Sequence, residues 1–124
     1  MCMLAKAFIG FVAAVFTGLG IVYVVSPQPL AELAGLQANS SGWADIRATY
    51  GGFQIGFGIY LIVTGLIQRD QRGALLAISL VVGCVGLFRL FGVVVEQSLS
   101  GFNASGIIVE FVVTSVAVVL YRRY

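Results

Sequence analysis

The chain contains no histidine, only two cysteines and two prolines, and charged residues make up just 10% of it. Without an imidazole, the usual zinc and haem ligand sets and the commonest general acid–base group are missing, so no metal or other cofactor is expected. Cys2 and Cys84 belong to no Cys-x-x-Cys pair and fall at different depths of the apolar pattern, which excludes a disulfide between them. The net charge of +2 is small and the basic residues sit at the ends of apolar runs. A nucleic-acid-binding surface therefore has no support.

What fills the chain is apolar. Hydrophobic residues make up 60% of it, and they gather in runs of about twenty, the length that crosses roughly 30 Å of hydrocarbon. The sequence reads as an all-α integral membrane protein, a single domain over residues 1–124 forming an antiparallel bundle of four transmembrane helices. The helices are expected at about 7–25, 44–68, 74–95 and 107–121. Lys6 before the first run imitates a signal peptide, but the run is too long for a signal core and reads as a retained helix.

The first run stops at Ser26-Pro27-Gln28-Pro29, where proline removes backbone donors. Gly10, Ala14, Thr17 and Ile21 form a mostly small stripe along it, suited to close helix packing. Leu30 to Gly35 reads as a short interfacial helix in the first outer loop with a glycine stop, followed by a polar turn over Gln37 to Gly42 and an interfacial Trp43. In the second run Arg47, Gly51, Gln54, Gly58, Leu61 and Gly65 alternate by four and three residues and share one face. Gly52 and Gly56 make a Gly-x-x-x-Gly pair on a neighbouring face. The short link Arg69 to Gly73 makes the second and third helices antiparallel neighbours, and Glu96 to Gly106 reads as the loop before the fourth. The sequons at Asn39 and Asn103 are weak signals.

Charge divides along this pattern. Lys6, Arg69, Arg72, Arg122 and Arg123 fall on one side of the bundle, and the loops Ser26–Trp43 and Glu96–Gly106 hold no basic residue, so both termini are expected in the cytoplasm. Asp45, Arg47, Arg89, Glu96 and Glu110 gather toward the other side. Arg89 lies roughly 25 Å of helix rise beyond Arg72, and Glu110 roughly 18 Å from Arg122, which brings them under the far boundary. Unpaired charge near a bilayer costs up to about 2.5–3.5 kcal/mol per group, so at least one Arg–Glu pair is expected between helices, with Tyr50 and Gln54 extending the polar lining inward. Two readings stay open: an ion-pair network that only joins helices, and a cluster that also binds a ligand. The five charges sum to minus one, which favours a lipid or neutral amphiphile over a strongly anionic ligand.

Asp45-Ile46-Arg47-Ala48-Thr49-Tyr50-Gly51-Gly52, followed by Gln54-Ile55-Gly56-Phe57-Gly58, resembles the motif of a family of small bacterial four-helix membrane proteins of unknown function, broadly similar to DoxX-like proteins. Arg89-Leu90-Phe91-Gly92 resembles its second basic motif and Glu110 its acidic start to the last helix, although Phe88 stands where the family often has glycine and Glu96-Gln97 where Asp-Gly is common. The resemblance implies a bacterial inner-membrane location and supplies no activity. Some DoxX-like proteins are small subunits of quinone-linked redox systems, an analogy of fold alone. The expected function is a non-enzymatic membrane protein, a subunit of a larger assembly or a self-associating oligomer, whose charged cluster offers a site for membrane lipid or a quinone-like amphiphile. A small proton-coupled transporter is the alternative, and a membrane enzyme using Asp45 or Glu110 as a base beside an arginine is the third reading.

Overall fold

The computed structural model describes residues 2–124, and among them there is no strand. Five helices follow one another: α1 (Met3–Val25), α2 (Gln28–Leu33), α3 (Ser40–Ile67), α4 (Gln71–Glu96) and α5 (Gly101–Arg123). All but α2 are long and apolar enough to cross a membrane. At about 1.5 Å per residue, even the shortest of these four exceeds the hydrocarbon thickness. The chain divides into two compact units, residues 1–71 and residues 72–124.

In the first unit α1 and α3 run antiparallel and touch through glycines. A Cβ placed on Gly20 would lie 2.8 Å from the Gly51 carbonyl oxygen, and one on Gly51 would lie 3.2 Å from that of Gly20. Further along, Gly58 faces Thr17 and the Ala13 backbone. Aromatic rings close the seam on either side: Phe16 meets Phe57 edge-on at 4.8 Å and Tyr23 lies 5.4 Å from Tyr50. The α3 stripe read from the sequence is therefore the packed face, with Gly51, Gly58, Leu61 and Gly65 buried, while Gly52 and Gly56 are exposed. On α1 the expected stripe is displaced. Ala14 and Ile21 are exposed, and the packed positions are Ala13, Thr17, Gly20 and Val24.

α3 is not a uniform α-helix. Over Arg47–Gly52 and Ile62–Ile67 it widens into π geometry, in which Phe53 N–H donates to the Ala48 carbonyl and Gln68 N–H to the Val63 carbonyl, five residues back. Such widenings are rare and concentrate at functional segments. The first coincides with the Arg-Ala-Thr-Tyr-Gly-Gly motif. Just past the end of α3, Arg69 takes a left-handed φ of 63°, and Asp70 N–H returns to the Thr64 carbonyl. The buried Gln71 side chain then clamps the start of α1, donating from Nε2 to the Cys2 carbonyl and accepting from the Cys2 N–H.

All four long helices start earlier than expected, α1 at Met3 and α4 at Gln71 by three or four residues, and at the other two a capping side chain accounts for the difference. The Asn39 side chain accepts the Gly42 N–H at 2.9 Å, so α3 begins at Ser40 and takes in Trp43 and half of the expected polar turn. Ser100 Oγ accepts the Asn103 N–H at 3.1 Å, so α5 begins at Gly101 and the expected loop from Glu96 to Gly106 shrinks to residues 97–100. The short helix expected from Leu30 starts earlier, at Gln28, with Pro29 in its first turn, and closes at Leu33 just ahead of Gly35, which takes φ 79° as the expected glycine stop.

The second unit is an antiparallel hairpin of α4 and α5. A Cβ on Gly83 would lie 3.2 Å from Thr114, and one on Gly86 would lie 3.1 Å from the Glu110 Cβ. At one end Arg72 stacks 4.6 Å over the Tyr121 ring. In each unit the flanking basic residues share one end: Lys6 and Arg69 in the first, Arg72, Arg122 and Arg123 in the second.

Candidate functional site

The opposite end of the second unit holds the most concentrated polar chemistry on the chain. Arg89 Nε donates to both Glu110 oxygens, at 3.1 and 3.0 Å, and Nη2 donates to Oε1 at 2.8 Å, a forked pair. Nη1 donates to Asn103 Oδ1 at 3.1 Å, and the guanidinium carbon lies 5.8 Å from the centre of the Phe102 ring. Two glycines make room for this arrangement. A Cβ on Gly106 would sit 3.0 Å from Arg89 Nε, and Gly86 lies under the Glu110 side chain. Asn103, Gly106 and Glu110 follow one another at three and four residues, so the first turns of α5 present an amide carbonyl, space and a carboxylate to Arg89 along one face.

Beside this pair an open cleft of about 330 Å³ is lined by Arg89, Gly92, Val93, Glu96, Ser98 and Asn103. Arg89 carries five N–H donors, of which three are engaged, leaving one on each terminal nitrogen. The Asn103 amide nitrogen engages no acceptor among the described residues. The cleft therefore offers hydrogen-bond donors at its Arg89–Asn103 end and a carboxylate at its Glu96 end. Glu96 closes α4, where the helix macrodipole is already negative and a carboxylate is disfavoured by about 0.3–1 kcal/mol.

The expected Arg–Glu pair between helices is thus present, and Glu96 shares its cleft. The other expected site residues, Asp45, Arg47, Tyr50 and Gln54, belong to the first unit and each has its own setting there. Arg47 Nε donates to the Val24 carbonyl at 3.1 Å, placing a cation on one of the carbonyls that the end of α1 leaves without an intrahelical partner. Replacing Arg47 by alanine is expected to cost about 0.5–1 kcal/mol and to speed amide exchange in the last turn of α1, leaving α5 unaffected. Hydrogen exchange in detergent checks this. Asp45 is exposed and, since α3 starts at Ser40, lies beyond the first turn of that helix. Tyr50 stacks on Tyr23. Gln54 Oε1 is buried without a hydrogen-bond partner among the described residues.

Asn103, Phe102, Ser98 and Gly92 were not legible as site residues. The signal for Asn103 was its three–four spacing to Gly106 and Glu110, hidden while Glu96 to Gly106 was read as a loop. No group of three or more His, Cys, Asp or Glu comes together among the described residues.

No curated protein and no solved structure matches the chain. A family model does match, over residues 4–121 and so nearly the whole chain, and its description is "Domain of unknown function (DUF4345)". A multi-pass membrane protein by its helices, the chain belongs to the DUF4345 family.

Proposed function

We propose that this is a non-enzymatic protein of the bacterial inner membrane, DoxX-like in its broad relations, with both termini in the cytoplasm. It works as a small subunit or self-associating oligomer, and the cleft beside the Arg89–Glu110 pair takes the polar head of a membrane amphiphile, a lipid or a quinone-like molecule. The observation that carries the reading is the cleft itself, with unengaged N–H donors of Arg89 and Asn103 at a helix end. Its volume is at the small end of ligand sites, about 300–1,000 Å³, and suits a headgroup whose tails remain in the bilayer. The end-to-end charge separation in both units supports the orientation. A transporter would hold its substrate near the bilayer midplane, whereas this cleft lies at the ends of α4 and α5.

The test is purification of the full chain from bacterial membranes in mild detergent, followed by native mass spectrometry. A retained amphiphile is expected, together with a second copy or a co-purifying membrane protein. Asn103→Ala should lower amphiphile retention by about fivefold, the equivalent of one charge-assisted contact. A bare monomer carrying no amphiphile would overturn the proposal. A fluorescent protein fused after Tyr124 should be bright, since it folds in the cytoplasm. A dark fusion at normal abundance would reverse the orientation.

A further inference from the structure

We infer that the cleft between the end of α4 and the start of α5 receives the headgroup of a zwitterionic phospholipid bearing a primary amine, its phosphate held by Arg89 and Asn103 and its ammonium by Glu96. The inference rests on the reading of this cleft as an amphiphile site and names the class of amphiphile.

Arg89, Gly92, Val93 and Glu96 all line the cleft, and their spacing of three, four and seven residues from Arg89 puts them on one face of α4. Arg89 and Glu96 stand two turns apart, about 10.5 Å of rise. Gly92 lies between them, and a Cβ there would meet no atom within 4 Å. The floor between cation and carboxylate is thus bare, and long side chains can grip a small group from both ends. Glu96 leans back along the helix toward this gap, because side chains tilt toward the helix N-terminus.

The electrostatics of the two ends differ in sign, although Arg89 is formally neutralised by Glu110. The Arg89–Asn103 end still presents donors and lies at the positive N-terminus of α5. The Glu96 end adds a carboxylate to the negative C-terminus of α4, where Gln97 turns into the left-handed region at φ 49° and ends the helix. A carboxylate at that place opposes the macrodipole and is compensated by a bound cation. Arg89, Glu96 and Glu110 together carry minus one, so a ligand of zero net charge leaves the balance unchanged and an anionic one worsens it.

Polarity along the membrane normal agrees. Glu96 lies at the very end of α4 and Arg89 two turns inside it. A phospholipid lying along the helix end places its phosphate deeper and its amine nearer water, the same order. A quinone offers only carbonyl acceptors and leaves Glu96 unused. A choline headgroup brings a cation with no N–H to donate.

The full-length chain in detergent, titrated by native mass spectrometry with dioleoyl lipids of ethanolamine, choline and glycerol headgroup, with decylubiquinone and with soluble glycerophosphoethanolamine, tests this. The ethanolamine lipid should bind about fivefold more tightly than the choline lipid, and Glu96→Gln should lower binding of the ethanolamine lipid about fivefold, bringing the two to parity. Gly92→Leu, which enters open space, should abolish binding with the melting temperature unchanged or raised. Equal or tighter binding of the glycerol lipid or of decylubiquinone would overturn the inference and leave an amphiphile site standing. So would an ethanolamine preference that survives Glu96→Gln. Competition by glycerophosphoethanolamine as strong as by the lipid would make the occupant a soluble zwitterion. Loss of all binding in the wild-type chain would remove the inference and the proposed function together.

Discussion

Glu110→Leu is expected to destabilise the chain by about 2–4 kcal/mol, while the double replacement Arg89→Met with Glu110→Leu stays within about 1 kcal/mol of wild type. The reasoning is one of orphaned charge. Arg89 retains 25% of its side-chain exposure and Glu110 only 14%, so neither ion is well served by water, and three of the five guanidinium donors are committed to the carboxylate and to Asn103. Removing Glu110 leaves the half-buried guanidinium with Asn103 as its one remaining direct hydrogen-bond partner, which is where the large penalty arises. Removing both partners leaves no orphan, and long apolar side chains refill the space. The partial exposure of Arg89 holds the single-variant cost below that of a fully buried pair. Unfolding in mixed micelles by titration with sodium dodecyl sulfate measures all four corners of the cycle, and the coupling energy should be at least about 1.5 kcal/mol. A single-variant loss under about 0.5 kcal/mol would show that the pair is solvated and contributes little.

The all-α class and the four apolar helices were legible because both rest on bulk properties: run length, hydropathy and the placement of arginine and lysine at segment ends. The packed face of α3 was legible too, since Gly51, Gly58, Leu61 and Gly65 share one stripe and all are buried. The helix starts were not. Ser40 to Gly42 and Gly101 to Gly106 contain residues whose side chains favour turns, and only the capping hydrogen bonds of Asn39 and Ser100 decide that the chain coils there. The loss of Asn103 from the expected site follows from that one misplacement, because a residue assigned to a loop has no face. The displaced stripe on α1 has another cause. Ala13, Ala14, Thr17, Gly18 and Gly20 are all small, so several faces satisfy the small-residue rule and only the partner helix selects one. Nothing in Arg47–Gly52 announces π geometry, which depends on five-residue hydrogen bonds rather than on side-chain type.

Gly20→Leu and Gly51→Leu should each separate α1 from α3, whereas Gly52→Leu and Gly56→Leu should be harmless or mildly stabilising. A Cβ on Gly20 would stand 2.8 Å from the Gly51 carbonyl oxygen and 2.9 Å from the Ile55 nitrogen, and one on Gly51 would stand 3.2 Å from the Val24 nitrogen. Backbone atoms cannot rotate aside as a side-chain terminus can, so the helices must move apart, and contacts along the whole seam weaken together. Even alanine should cost about 1–3 kcal/mol at these two positions, and leucine more. Gly52 and Gly56 present the opposite case: no atom lies within 4 Å of an added Cβ at either, and replacing a helical glycine by a better helix former gains about 0.5–1 kcal/mol. Since Gly51 and Gly52 are neighbours in sequence, the contrast between them isolates the packed face from composition and depth. The same micelle titration reads it, with the near-ultraviolet circular dichroism of the Tyr23–Tyr50 contact reporting whether the seam itself has opened. Equal tolerance at Gly51 and Gly52 would show that α1 and α3 do not meet through their glycines.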